Sequence, residues 1–185
     1  MEPSIIEKAA ALAAEGHKEQ YRKHENIPYV VHPFMVSQKL AEHGFGEDVM
    51  AAGLAHDLLE DTDISQTRLR NVLGQEVLDI VEGVSENKSL PWEGRKKEYI
   101  ERVKNSDEKI KAVCVADKIH NLQNTLYEYE KQGEKIWSVF NASREKQLWF
   151  YKAIVEMLDQ SGWEHSIVEE YKELVQCLEN IFPKD

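Results

Sequence analysis

The sequence predicts an all-α protein, a compact orthogonal helical bundle, and three observations carry that prediction. Apolar residues recur at helical spacing through most of the 185 residues. Strict alternation with period two is nowhere sustained, so no half-buried strand is expected. The stretches between periodic segments are short, and there is neither an internal repeat nor a low-complexity run, which favours packed helices over a long coiled coil.

Taken in order, Ser4 and Glu7 form a capping-box pattern that opens a helix carrying Ile5, Ile6, Ala9, Leu12 and Ala13 and ending near Gly16. Residues 22–31 read as irregular, punctuated by Asn26 and Pro28. Pro33 suits a first helical turn, which places His32 at the entrance of a helix running to about Glu42. After His43-Gly44 the next helix is predicted to run unbroken from Glu47-Asp48 to Glu60. Asp63 or Ser65 caps a further helix, Gly74 interrupts it, and Glu76–Val84 resumes with Val77, Ile80, Val81 and Val84 on one face. Residues 85–94 form the longest loop-like stretch, long enough to suggest a functional lid. Arg95–Val103, Ile110–Leu126, Ala142–Leu158 and His165–Ile181 are amphipathic at helical spacing. Ala112–Ala116 has strand-like propensity, but its apolar run continues into Ile119 and Leu122 at helical spacing.

The length fits one domain over residues 1–185. No apolar run approaches the ~18 residues of a membrane span, and Glu2 and Glu7 stand where a secretory signal has a basic region, so a cytoplasmic protein is expected. Cys114 and Cys177 are too few and too distant for a disulfide framework or a thiolate zinc site, so any metal must use oxygen and imidazole. A net charge of −11 argues against nucleic acid and anionic membranes as partners. It leaves room for a small anionic substrate, because screening over ~8–10 Å lets local cations decide what a pocket accepts. Arg22-Lys23 and Arg95-Lys96-Lys97 are the local supply.

Chemistry concentrates in Leu54-Ala55-His56-Asp57-Leu58-Leu59-Glu60-Asp61-Thr62. On one helix turning ~100° per residue, His56, Glu60, Asp57 and Asp61 fall at roughly 0°, 40°, 100° and 140°, a continuous polar arc. A site of His32, His56, Asp57 and Asp117 offers two imidazoles and two carboxylates, a mixture suited to Mn²⁺, Fe²⁺ or Zn²⁺ more than Mg²⁺. Singly, each has an ordinary explanation: His32 as a helix-entry residue, Asp57 as a solvated charge, Asp117 as a surface acid beside Lys118. Asp117, however, follows the apolar run Ala112-Val113-Cys114-Val115-Ala116, where an unpaired carboxylate is costly to bury. Asn121, at i+4 from Asp117, reaches the same cleft as an uncharged hydrogen-bonding group. Glu60 and Asp61 lie close enough to orient or deprotonate a water whose pKa a divalent ion lowers, which makes metal-assisted hydrolysis the chemistry expected. His120 reads as structural, and Trp137, Phe140, Trp149, Phe150 and Tyr151 as core in preference to a base-stacking platform.

The ordered set His32, His56-Asp57, Asp117 resembles the H…HD…D pattern of the HD-domain metal-dependent phosphohydrolase superfamily. Within it the chain looks like the hydrolase domain of RelA/SpoT enzymes and the stand-alone small alarmone hydrolases. Arg22-Lys23 before Pro28-Tyr29-Val30-Val31-His32-Pro33, then His56-Asp57-Leu58-Leu59-Glu60-Asp61-Thr62 and Ala116-Asp117-Lys118-Ile119-His120-Asn121-Leu122, are similar to that family's RK…PY…HP, HDxxEDT and ADxxHNL elements, over residues 1–126. The resemblance implies an HD-type bundle that hydrolyses the 3′-pyrophosphate from guanosine tetra- or pentaphosphate, usually with Mn²⁺. It implies His32, His56, Asp57 and Asp117 as ligands and Glu60 and Asp61 as water-activating or metal-supporting acids. It further implies Arg22 and Lys23 as guanine and phosphate contacts, and Asn121 as a ribose contact. Gln123 stands where the family commonly has Arg, which keeps open a hydrolase of another nucleotide or phosphorylated cofactor. A non-catalytic nucleotide sensor is a further alternative, against which Glu60 and Asp61 weigh. Phe140–Tyr151 resembles a C-terminal segment of stand-alone bacterial HD proteins, and the remaining length leaves no room for a synthetase domain.

Overall fold

Ser4 accepts the Glu7 amide while the Glu7 carboxylate returns to the Ser4 amide, and this reciprocal cap starts α1 (Ile5–Gly16). The computed structural model describes residues 2–22 and 26–182, with the backbone alone at Val139. Lys23 therefore lies outside the described residues. Helix α2 (Val31–Glu42) holds Pro33 and His32 in its first turn, where a missing amide donor costs nothing.

The predicted single helix from Glu47 to Glu60 is two pieces, α3 (Glu47–Ala55) and α4 (Leu58–Asp61), with His56 and Asp57 in the turn between them. The imidazole N–H of His56 donates at 2.8 Å to the Gly53 carbonyl, the group an unbroken helix gives to the Asp57 amide. The break corrects the continuous polar arc, and the four acidic and imidazole side chains leave the backbone in more than one direction.

Ser65, not Asp63, caps α5 (Gln66–Leu73), and Gly74 at φ +90° separates it from α6 (Gln75–Val84). Helix α7 (Trp92–Lys104) begins directly after Pro91, which shortens the expected loop to residues 85–91. Helix α8 (Glu108–Gln132), capped by Asp107, runs past Leu126 into a 3₁₀ segment, Gly133–Val139. Helices α9 (Arg144–Ser161) and α10 (Ser166–Asn180) close the bundle, joined by a 3.0 Å bond from the Tyr171 hydroxyl to the Tyr151 carbonyl.

Among the described residues the fold is all-α, and the extended pairing recorded is one isolated antiparallel bridge, Tyr21 with Pro28. Helix α8 is the axis of the bundle, with every residue from Lys111 to His120 buried against α2, α3, α6, α7 and α10. Burial on all sides explains why Ala112–Ala116 lacks a polar face. One apolar core extends from Ala9 to Leu178. Among the described residues no helix is long and apolar enough to cross a membrane.

Helices α2 and α3 meet at Gly53, where a Cβ atom would stand 2.7 Å from Leu40 Cδ1 and 3.3 Å from Ser37 Cα. Gly53→Val is expected to cost about 1–3 kcal/mol through overpacking. At about 2–4 °C per kcal/mol for a chain of this size, thermal unfolding followed by circular dichroism should show Tm falling by several degrees. An unchanged Tm would mean that the two helices have room to spare at this crossing.

Candidate active site

Three elements bring the chemistry together: α2 supplies His32, the α3–α4 turn supplies His56 and Asp57, and the buried middle of α8 supplies Asp117. His32, His56 and Asp57 offer one ligand atom each within 4.8 Å of one another, a candidate divalent-metal site. Asp117 Oδ1 lies 3.1 Å from His32 Nε2 and 3.8 Å from His56 Nε2, and Asp57 Oδ2 lies 3.6 and 3.1 Å from the same two nitrogens. All four side chains line one small cavity of about 140 Å³.

The donor set fits a cation by the way its outer atoms are occupied. His56 Nδ1 gives its proton to the Gly53 carbonyl, and Nε2 is buried without a hydrogen-bond partner despite its closeness to Asp57. His32 Nδ1 lies 2.6 Å from His120 Nδ1, so one ring donates and the other accepts. Burial, then the charges of His32 and Arg22, pull His120 down to about 3, keeping it neutral. With His32 as donor, its Nε2 presents a lone pair to the carboxylates.

The carboxylates are held from behind. Tyr29 donates its hydroxyl to Asp57 Oδ2 at 2.5 Å, Asn121 Nδ2 donates to Asp117 Oδ1 at 2.6 Å, and the Lys118 ammonium donates to Asp117 Oδ2. Burial works to raise both acids, but His56 next to Asp57 and Lys118 next to Asp117 outweigh it and hold each well below the ordinary carboxylate range. Burial likewise works against a charged His56, and Asp57 with Asp117 raises it to about 9. One buried and one half-buried carboxylate, Asp117 and Asp57, thus demand positive charge between them.

A family model described as HD domain matches residues 9–147, three quarters of the sequence. The chain belongs to the HD-domain family. A Xenopus tropicalis relative named guanosine-3′,5′-bis(diphosphate) 3′-pyrophosphohydrolase MESH1 is 40% identical over 124 residues, covering 65% of this chain and 69% of that protein. The crystal structure of lmo0812 from Listeria monocytogenes EGD-e superposes with a TM-score of 0.75 at 36% identity, over 80% of this chain and 97% of that one. A structure titled as a metazoan orthologue of SpoT that hydrolyses ppGpp superposes with a TM-score of 0.78 at 27% identity, over 96% and 97% of the two chains. With its His/His/Asp cluster, this HD-domain chain is a metal-dependent phosphohydrolase related to the ppGpp hydrolases.

The remaining candidates of the HD-domain site divide between two cavities. Glu60 lines the small one, where its Oε1 accepts the Glu86 amide at 2.9 Å. Burial and the neighbouring Asp57 and Glu86 charges push its carboxyl above the ordinary value, against the pull of that amide. Asp61 lines the larger cavity, about 660 Å³, and pairs with Lys88 at 2.6 Å. Arg22 also lines the larger cavity, while Asn121 borders both, as do Tyr29 and Lys118. The suspected lid is tied down: Lys88 also bonds the Glu60 carbonyl at 2.6 Å, and Glu86 pairs with Arg95 and Lys96. Of the five aromatics expected as core, Phe150 and Tyr151 are buried, Trp137 and Phe140 are half-buried and Trp149 is exposed, and Phe140, Phe150 and Tyr151 also form walls of the larger cavity. Gln123 turns outward to Glu170 of α10 and lines neither cavity.

Sequence reasoning gave Tyr29 and Lys118 no role and took His120 as structural, which its bond to His32 bears out. The burial argument that singles out Asp117 applies equally to Lys118, its neighbour in the same apolar run. The partners of His120 and Tyr29 were hidden, since they lie 88 and 28 residues away. Tyr29→Phe removes a hydrogen bond to a charged group and is expected to cost about 1.5–3 kcal/mol of stability, measurable by urea unfolding. Stability equal to that of the parent would show that the hydroxyl does not hold Asp57.

Proposed function

We propose that this chain, acting as one domain, removes the 3′-pyrophosphate from guanosine tetra- or pentaphosphate, with His32, His56, Asp57 and Asp117 holding Mn²⁺. The observation that carries the reading is the junction of the two cavities. The small one is lined by His32, His56, Asp57 and Asp117, and the larger one, within the size range of small-molecule sites, shares Tyr29, Lys118 and Asn121 with it. A nucleotide lying in the larger cavity thereby reaches the cluster with one phosphate group. The names of the similar proteins support guanosine 3′-diphosphates as the substrate class.

A divalent ion held there supplies Lewis-acid polarisation of a phosphoryl oxygen and a lowered pKa for water. Glu60, beside the cluster and raised above the ordinary carboxylate value, orients the attacking water and takes its proton. Asp61 assists from the larger cavity, positioned by Lys88. Arg22 contributes a fixed cation for phosphate or guanine, and Lys23 joins it in this reading. The Asn121 amide bonds Asp117 through its nitrogen, and its oxygen serves as acceptor for a ribose hydroxyl. Because Gln123 faces α10, its departure from the family's Arg bears on helix packing more than on substrate choice.

The manganese-loaded protein is expected to release pyrophosphate from guanosine tetraphosphate and to leave deoxynucleoside monophosphates and phosphorylated dinucleotides intact. Orthophosphate from one of those monoesters, without pyrophosphate from the tetraphosphate, would replace the substrate named here. Among variants, Asp57→Ala should lose bound manganese in elemental analysis. Glu60→Ala should retain the metal and lose about 10²–10⁴-fold in kcat, the usual scale of a general base. Equal loss of metal in both would contradict the division of roles.

A further inference from the structure

Two lysines meet at the wall between the cavities. The Lys96 ammonium lies 4.3 Å from the centre of the Phe150 ring and the Lys118 ammonium 5.6 Å from the same ring. Both line the larger cavity, and Lys118 lines the small one as well. Their side chains are 13% and 11% exposed, so they are not surface lysines. Each ammonium has three N–H donors, of which Glu86 takes one from Lys96 and Asp117 takes one from Lys118. Two like charges on one aromatic ring repel, and burial together with the Lys118 charge holds Lys96 below the ordinary lysine value. An anion spanning both ammoniums offsets that repulsion. An ion-pair network serving stability alone has no need of both cations at a cavity wall.

We infer that Lys96 and Lys118 form a diphosphate subsite at this junction, contacting the pyrophosphate group on the side away from the imidazoles. The subsite rests on the proposed reaction for its occupant, and on the geometry alone for its affinity for a diphosphate. It favours a substrate ending in a diphosphate over one ending in a single phosphate, because Lys118 already bonds Asp117 of the cluster while Lys96 lines the larger cavity alone, so the second phosphate is the one that meets Lys96. Glu86 ties this subsite to the active-site acids, since its carboxylate holds Lys96 while its amide holds Glu60.

The test is calorimetric titration of the full manganese-loaded chain with inorganic pyrophosphate, with guanosine as the control ligand. In Lys96→Met the Glu86 carboxylate keeps Arg95 at 2.7 Å as a partner, and Lys96→Gln serves where the Met variant does not fold. Pyrophosphate affinity should fall at least tenfold and its dependence on salt should weaken, with manganese content and guanosine binding as in the parent. A lowered Tm with pyrophosphate affinity unchanged would reduce the pair to a structural network and overturn the subsite. Pyrophosphate binding that depends on Lys96 in a protein inert toward guanosine tetraphosphate would keep the subsite and remove the substrate reading. Turnover of the tetraphosphate with pyrophosphate binding indifferent to Lys96 would do the reverse.

Discussion

Two carboxylates, Asp57 and Asp117, sit side by side in the middle of an apolar bundle, and most of the surrounding structure is arranged to make that tolerable. A buried, ionised carboxylate without partners is too expensive to persist. Here each acid is shared between two kinds of neighbour. Tyr29 from the segment before α2, and Asn121 and Lys118 from α8, donate from the protein side. The Nε2 atoms of the two imidazoles stand on the other side, and with each Nδ1 engaged elsewhere they donate only when the ring is protonated and otherwise offer lone pairs to a metal. Elements distant in sequence must therefore pack in one register, and the closeness of α2 and α3 at Gly53 is part of that demand.

The interrupted helix is the second consequence of the same demand. An imidazole that must present Nε2 to the cluster needs its Nδ1 satisfied, and the nearest acceptor is the Gly53 carbonyl one turn back. Taking that carbonyl ends α3, and the chain restarts as α4 after two residues. The restart separates Glu60 from Asp61, sending one toward the ligand cluster and the other toward the larger cavity. Local helical order is given up where it conflicts with the geometry of the site, which is where a departure from sequence-level rules is most expected.

Features written in local chemistry were legible from the sequence. The Ser4–Glu7 cap and the Gly74 break depend on residues within one turn and stand where their residues indicated, and of the two caps offered for α5, Asp63 and Ser65, the structure uses Ser65. The HD-domain fold was legible because its motifs are short, ordered and chemically unusual. The break at His56–Asp57 was not, since a run of good helix formers with a His in it gives no sign that the imidazole will compete for a backbone carbonyl. The strapping of residues 85–91 was hidden for a different reason. Its bonds join Glu86 and Lys88 to Glu60, Asp61, Arg95 and Lys96, and charged residues in a polar loop read alike whether solvated or paired. The aromatic segment was half legible: spacing identifies Phe150 and Tyr151 as buried, but not that one side of a buried ring can be a cavity wall.

The charge of the whole chain and the charge of the site point in opposite directions. A net charge of −11 repels a polyphosphorylated nucleotide at a distance, yet Arg22, Lys96 and Lys118 line the cavity that would receive it. The two statements act at different ranges. At physiological salt the Debye length is about 8 Å, so the surface charge is largely screened before a ligand arrives, whereas buried cations are screened much less. Selectivity for phosphate in this fold is consequently local, set by a few ammonium and guanidinium groups in place of a basic face. A cation-lined pocket in an acidic exterior favours ligands small enough to leave the exterior behind.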